Sequence, residues 1–227
     1  MGYFRKMIVE DDFRHKGMRK RLMRELALLG IQDQNVLQAM DQVPRHAFLN
    51  SAFSELAYEN KALPIGLDQT ISHPLTVAKQ SELLQIKPGM KVLEVGTGSG
   101  YQTAVLFHLG AKVFSIERHM ALHEESKKIL HALKIKAHLT YGDGYKGLPT
   151  FGPFDRILIT CATAFIPEDL QQQLKPGGRM VLPYGKDEDQ NMLVISKDIQ
   201  SEYRAESHGK CAFVPMLQNR NPKKTNP

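Results

Sequence analysis

The sequence predicts an α/β protein with a doubly wound, mostly parallel sheet, a helical N-terminal cap and extra C-terminal strands. Three observations carry this. From Lys91 onward, short continuous apolar runs alternate with helical patterns, as expected of parallel βαβ units buried on both faces. A glycine-rich turn, GTGSG, leaves the first of these runs. A composition of 42% hydrophobic and 24% charged residues over 227 residues is that of one globular domain, not of a fibrous, coiled-coil or disordered chain.

Taken in order, residues 1–14 mix charge and aromatics without a period and read as a loose end. Over residues 15–29, Met18, Leu22, Leu26 and Leu29 recur at helical spacing, and Gly30 suits the stop. Asp33 is placed to cap a second helix that turns Val36, Leu37, Met40 and Val43 inward and ends before Pro44. Residues 45–71 are irregular, punctuated by Pro64 and Gly66, and Pro74 fits the first turn of a helix reaching Leu84.

The core then reads KVLEV, YQTAVLFHL, KVFSIE, MALHEESKKILHAL, AHLTY, FDRILIT, PEDLQQQL and RMVLP, with turns KPGM and KPGG before the first and fifth strands. NMLVIS and the segment around residues 211–214 are expected as added antiparallel strands, and residues 219–227 as a disordered polar tail. The expected division is a single domain over 15–218. Within it, 15–90 form cap and substrate region, 91–183 the cofactor core and 184–218 the last strands.

The glycine turn sets the ligand class. Gly96, Gly98 and Gly100 let the backbone turn tightly between strand and helix and approach a ligand, at which the helix aims its free N–H groups. A Walker loop needs Gly-Lys-Ser/Thr, which is absent. A dinucleotide fingerprint needs a small residue where Tyr101 stands. S-adenosyl-L-methionine, with a ribose diol and a sulfonium cation but no pyrophosphate, is the class left. Glu117, ending the second strand, is placed to accept the ribose hydroxyls. Glu94 is placed to put negative charge near the cationic half, and Asp143 to meet an adenine amino group. Any one of them alone is also what a solvated strand end carries. Together they fall at the carboxyl ends of consecutive strands, where open α/β sheets bind ligands.

The segment YENKALPIGLDQTISHPLTVAK (58–79), followed by VLEVGTGSGYQTAVL, closely resembles the protein-L-isoaspartate O-methyltransferases. LGIQDQNVLQAMDQVPRHAFL upstream, and YGDGYKGLP, FDRILIT, LKPGGRMVLPYG and FVPM downstream, extend the likeness over residues 15–217. The LPIG and QTIS pieces are particular to this family, while the glycine motif is shared with methyltransferases generally.

The resemblance implies a Rossmann-like S-adenosylmethionine-dependent methyltransferase acting on the carboxylate of L-isoaspartyl residues in damaged proteins and peptides. The ester then collapses to a succinimide, whose hydrolysis returns some normal aspartate. It also implies Ser72 as the catalytic residue, with cofactor contacts at Gln69, Thr70, Ile71, the loop of Gly96, Thr97 and Gly98, Glu117, and the Asp143-Gly144 pair. Phe213, Val214 and Pro215 would line the peptide site. Asp68 stands where many bacterial members have Gly, His73 where Gln is common, and Cys161-Ala162-Thr163 where a small-residue run is usual.

The reaction asks little acid–base help, because a carboxylate is already ionised at neutral pH. Alignment of oxygen, methyl carbon and sulfur is the main requirement. Ser72 is therefore expected to orient substrate or cofactor by a hydrogen bond, without forming a covalent intermediate; its alternative is to cap the helix begun near Pro74.

Other features are expected to be structural. His119 and His123 have metal-ligand spacing, but HEESK is not HExxH, so a solvated helix face and no metal are expected. Cys161 is expected as a small buried side chain near the pocket. The net charge of +6 includes a basic helix face of Lys16, Arg19, Lys20, Arg21 and Arg24, expected to be solvated and not a nucleic-acid site. Two cysteines without CxxC spacing suit a reducing compartment, the cytoplasm by default, and no apolar run is long enough for a membrane span. A monomer is favoured. TCATAF stands where adenine amino-methyltransferases carry an Asp/Asn-Pro-Pro-aromatic motif. The rival readings are a dedicated peptide or nucleic-acid methyltransferase, or a non-catalytic cofactor-binding homologue.

Overall fold

The computed structural model describes residues 10–222. Its centre is a seven-stranded sheet of β3 (Lys91–Val95), β4 (Lys112–Glu117), β5 (Ala137–Tyr141), β6 (Phe154–Ile159), β7 (Leu174–Lys186), β8 (Asp189–Lys197) and β9 (Tyr203–Cys211). The spatial order is β5-β4-β3-β6-β7-β8-β9. Strands β3 to β7 are mutually parallel, and β8 and β9 are added antiparallel. The chain winds outward through β4 and β5, then returns to lay β6 on the other side of β3. This reversal opens a crevice at the carboxyl ends of β3 and β6, where such sheets hold ligands.

Helices α4 (Tyr101–His108), α5 (Met120–Ala132) and α6 (Glu168–Gln172) connect the strands. The cap comprises α1 (Phe13–Leu28), α2 (Gln34–Gln42) and α3 (Pro74–Leu84). It packs Leu22, Leu26, Val36, Met40 and Val77 against Tyr101 and Val105 of α4, forming an apolar layer over one face of the sheet. The opposite face packs Leu93, Ile157 and Met180 against Leu170 of α6.

Several boundaries differ from the sequence reading. Asp12 caps α1 through His15 N, so the helix starts within the stretch expected to be loose, while residues 1–9 lie outside the described residues. Met23 is buried on α1 while Leu29, expected inward, is 47% exposed. Arg19, expected on the solvated face, is buried and paired with Asp11 at 2.9 Å, and it donates to the Tyr58 hydroxyl at 3.2 Å.

The irregular stretch 45–71 contains two short 3-10 helices and an antiparallel pair, β1 (Leu63–Gly66) and β2 (Gln69–Ile71). KPGG is not a turn before β7 but a bulge within it, where the β6 pairing jumps from Leu174 to Arg179. The final strand lies at Tyr203–Cys211, before the expected 211–214 segment. Residues 219–222, expected to be disordered, run back over the sheet. Asn221 N donates to Arg118 O at 2.7 Å and Met120 N to Asn221 O at 3.1 Å. The rest of the expected tail, 223–227, lies outside the described residues. No helix among the described residues is long and apolar enough to cross a membrane.

Candidate active site

The crevice is a cavity of about 870 Å³ including its open mouth, within the usual range for small-molecule sites. Its inner wall comes from the sheet. Gly96 leaves β3 at φ 100°, and a Cβ there would stand 2.5 Å from Thr160 Oγ1, so only glycine fits. Thr160 Oγ1 in turn donates to the Gly96 carbonyl at 2.7 Å. Gly144 is equally confined, since a Cβ would stand 2.5 Å from Val95 Cγ1.

Glu117 is buried at the end of β4, and both carboxylate oxygens accept backbone amides: Oε2 from Gly98 N and Oε1 from His119 N, each at 2.8 Å. Two bonds fix the carboxylate's plane and leave further lone pairs for a ligand lying in the cavity. The buried Thr97 hydroxyl is bonded to Ser115 Oγ at 2.6 Å. Gln102 gives its amide N–H to Ser81 Oγ at 3.0 Å, while its Oε1 is buried without a partner.

The outer wall is the β1–β2 hairpin, which brings Gln69, Thr70, Ile71 and Ser72 onto the cavity opposite the glycine loop. Its turn residues Leu67 and Asp68 both have positive φ, 54° and 56°, the geometry of a tight primed turn. Asp tolerates that geometry better than most residues, which explains how Asp68 serves where a glycine is common. Ser72 does not cap α3: His73 occupies the cap position without a side-chain bond, and Asn60 Oδ1 accepts from Leu75 N at 3.0 Å instead. The Ser72 carbonyl accepts from Arg45 Nη2 at 2.8 Å.

The third side is the crossing segment after β9. Val214 and Pro215 line the cavity, held by Ala162 N to Val214 O at 2.8 Å and Met216 N to Ala162 O at 2.7 Å.

Three expected site residues fall elsewhere. Glu94 is fully buried beneath α4, accepts from the Thr103 hydroxyl and does not line the cavity. Successive strand side chains alternate, so with Val95 on the cavity its neighbour Glu94 faces away. Burial pushes the Glu94 carboxyl up to about 7. Asp143 is also off the wall: Oδ1 accepts from Tyr145 N at 3.0 Å and Oδ2 from Asn219 N at 2.9 Å, leaving Gly144 as the lining residue. Phe213 sits behind the wall, its N–H and carbonyl bonded to the Gln190 amide at 2.8 and 3.0 Å.

His119 and His123 are buried, not on a solvated face as expected, and burial depresses both imidazoles. His119 lines the cavity, its ring bonded to Asn221 Nδ2 at 3.2 Å. No cluster of three metal-ligating residues exists among the described residues. Cys161 lines the cavity with its thiol pushed up to about 12 by burial, so it is unreactive at neutral pH. Gln80, Gln102 and His119 also line the site and were not anticipated as cavity residues. Nothing in their spacing separates them from ordinary helix residues.

A reversal point in a parallel sheet, a glycine turn and a buried carboxylate ending the neighbouring strand define a Rossmann-like fold. The sequence profile of the protein-L-isoaspartate(D-aspartate) O-methyltransferase family matches residues 17–221, and the chain belongs to that family. It is 52% identical over 209 residues to the Cytophaga hutchinsonii protein-L-isoaspartate O-methyltransferase, covering 92% of this chain and 95% of that one. It is 49% identical over 214 residues to the Flavobacterium johnsoniae protein of the same name, covering 94% and 100%. Among solved structures, a protein-L-isoaspartate O-methyltransferase superposes with TM-score 0.80 at 28% identity, over 88% of this chain and 66% of that one. A Plasmodium falciparum protein-L-isoaspartate O-methyltransferase, solved with S-adenosyl-L-homocysteine, gives TM-score 0.77 at 25% identity, covering 90% and 99%.

Proposed function

We infer that this chain transfers the methyl group of S-adenosyl-L-methionine to the free carboxylate of L-isoaspartyl residues in damaged proteins and peptides. The observation that carries the reading is the confrontation, across one cavity, of the glycine loop with the hairpin bearing Gln69 to Ser72.

The cavity suits the cofactor. Glu117 offers anchored lone pairs to a diol, Gln102 Oε1 is an unsatisfied acceptor for an ammonium group, and at Gly96 and Gly144 the lining is backbone alone. Gln69, Thr70, Ile71, Thr97 and Gly98 complete the proposed contacts. When bound, the cofactor supplies a methyl carbon activated by its sulfonium.

The protein's task is then to hold a carboxylate oxygen in line with that carbon. No general base is needed, since the carboxylate is ionised at neutral pH. Ser72 is assigned to donate one hydrogen bond that orients the carboxylate. A single neutral donor aims the oxygen without the loss of nucleophilicity that a cationic clamp would bring. Val214 and Pro215 are assigned to the peptide flanking the carboxylate. Transfer would form the carboxylate oxygen–methyl bond as the methyl–sulfur bond breaks and S-adenosyl-L-homocysteine leaves, giving a methyl ester whose methoxy group can be expelled. Attack by the following backbone nitrogen expels methanol and closes the succinimide. Asp143 and Glu94 act indirectly, by fixing the rim and the loop beneath the glycines. A monomer in a reducing cytoplasm, acting on protein and not on nucleic acid, is the setting we propose.

The test is methyl transfer from labelled S-adenosyl-L-methionine to paired peptides differing only in L-isoaspartyl or L-aspartyl at one position. Labelling of the isoaspartyl peptide alone is expected. Equal labelling of both would indicate a general carboxyl methyltransferase, and labelling of neither would overturn the assignment.

A further inference from the structure

Arg45 opens the 3-10 helix Arg45–Phe48 and is fully buried. Among the described residues it has no carboxylate partner, and its Nε and Nη1 make no hydrogen bond. A buried cation without a counter-charge is expensive for a fold, and apolar side chains of similar volume are commonly as good or better. Burial accordingly depresses its pKa. Its one donor in use, Nη2, reaches two carbonyls: Ser72 O at 2.8 Å and Lys61 O at 3.4 Å. These residues flank the hairpin, Lys61 just before β1 and Ser72 just after β2. The guanidinium carbon lies 4.8 Å from the centroid of the Tyr101 ring, and Tyr101 both starts α4 and lines the cavity.

The short helix carrying Arg45 is itself fixed. The His46 ring stacks on His15 of α1 with centroids 3.8 Å apart, and its Nδ1 is bonded to the Tyr58 hydroxyl at 2.7 Å. Phe48 meets Tyr101 edge-on at 5.6 Å. Arg45 thus joins the cap, the two ends of the hairpin and the first residue after the glycine loop.

We propose that Arg45 is a positioning residue for methyl transfer, whose guanidinium clasps the carbonyls at both ends of the β1–β2 hairpin and rests on Tyr101, holding Ser72 over the cavity. Charge-assisted bonds to carbonyls are stronger than neutral ones, which suits a clasp on a strand pair too short to be rigid by itself. Its contribution is to geometry at the site and not to stability of the fold. This rests on the methyltransferase reading, and the experiment separates the two.

The experiment compares the parent with Arg45→Met and Arg45→Lys by thermal unfolding, S-adenosyl-L-homocysteine affinity, isoaspartyl-peptide kinetics and amide exchange over residues 61–72. For Arg45→Met a melting temperature within about 3 °C of the parent or higher is expected. Turnover should fall about tenfold or more, as a small misplacement of a reacting group allows. Exchange in the hairpin should quicken, with cofactor-product affinity changed by no more than about threefold. Arg45→Lys, which keeps the charge but loses the planar guanidinium that rests on Tyr101, should fall between.

A merely structural arginine would instead lower the melting temperature and affinity together, with no excess exchange in the hairpin. Parental turnover, or unchanged hairpin exchange, in Arg45→Met overturns the clasp. If that variant does not fold, parental values for both in Arg45→Lys overturn it equally. Should the parent itself fail to methylate isoaspartyl peptide, the functional reading falls while the exchange comparison still decides the clasp.

Discussion

The two walls of the cavity are built by different means. The inner wall hangs on the parallel ladder: β3, β4 and β6 are in continuous register, and their ends place Gly96, Glu117 and Thr160 with little further help. The outer wall has almost no ladder. Beyond its own short pairing its hairpin is tied at the ends by Arg45, and its crossing segment by Ala162, Gln190 and Asp143, each through one or two bonds. The parallel ladder thus fixes the wall of the glycine loop, while isolated bonds, several from side chains, fix the hairpin and the crossing segment. A change to the glycine loop should therefore damage binding and folding together, and a change at Ser72 should damage turnover more than cofactor binding.

The largest break of this contrast is Gly96→Ala. Strain at φ 100° and a Cβ 2.5 Å from Thr160 Oγ1 should together cost about 3–5 kcal/mol of stability and abolish cofactor binding. Chemical denaturation and calorimetry would read both. An unchanged affinity would mean the inner wall tolerates what its geometry forbids.

On the outer wall, Ser72→Ala should lower turnover by about 10- to 100-fold, the worth of one aimed donor, while S-adenosyl-L-homocysteine affinity stays within a few fold. Steady-state kinetics beside calorimetry would measure it. Unchanged turnover would remove Ser72 from the reaction.

The smallest effect lies beneath the inner wall. The Glu94 carboxyl, raised by burial to about 7 from an unfolded value of 4.5, keeps its proton in the native state where the unfolded chain has lost it. Stability from this group is present below the unfolded value and is lost as pH rises through 7. Between pH 5 and 7 the loss is about 2 kcal/mol. Glu94→Gln should flatten that slope in urea titrations at pH 5, 6 and 7. An identical slope would place the titration elsewhere.

How much of this was legible follows the same division. The βαβ core was readable because buried parallel strands are continuous apolar runs and their helices are periodic, as in KVLEV and MALHEESKKILHAL. Asp33 and Pro74 marked helix starts by plain stereochemistry. The hairpin escaped because its strands are three and four residues long and its turn is Leu-Asp, not Asn-Gly. β9 escaped because it is an exposed edge, YRAESHGKC, with no apolar face to register.

At the site, Glu117, expected at the crevice from its place at the end of a strand, does line the cavity. Glu94 and Asp143 do not line the cavity, because the facing of a strand residue, or a carboxylate's capture by distant amides, is settled by tertiary structure. Ser72 and its hairpin neighbours came only through the family resemblance. Nothing in their chemistry marks them before the fold sets them opposite the glycine loop.

The crossing segment has a consequence during synthesis. Strands β3 to β9 are all made before it. The Glu117 rim nevertheless has to wait for Val214 to Asn221, since Asn219 engages Asp143 and Asn221 engages Arg118 and His119. A nascent chain stalled within β9 would therefore carry a nearly finished sheet around an unroofed pocket. The cavity is walled on all sides only once that last crossing has docked.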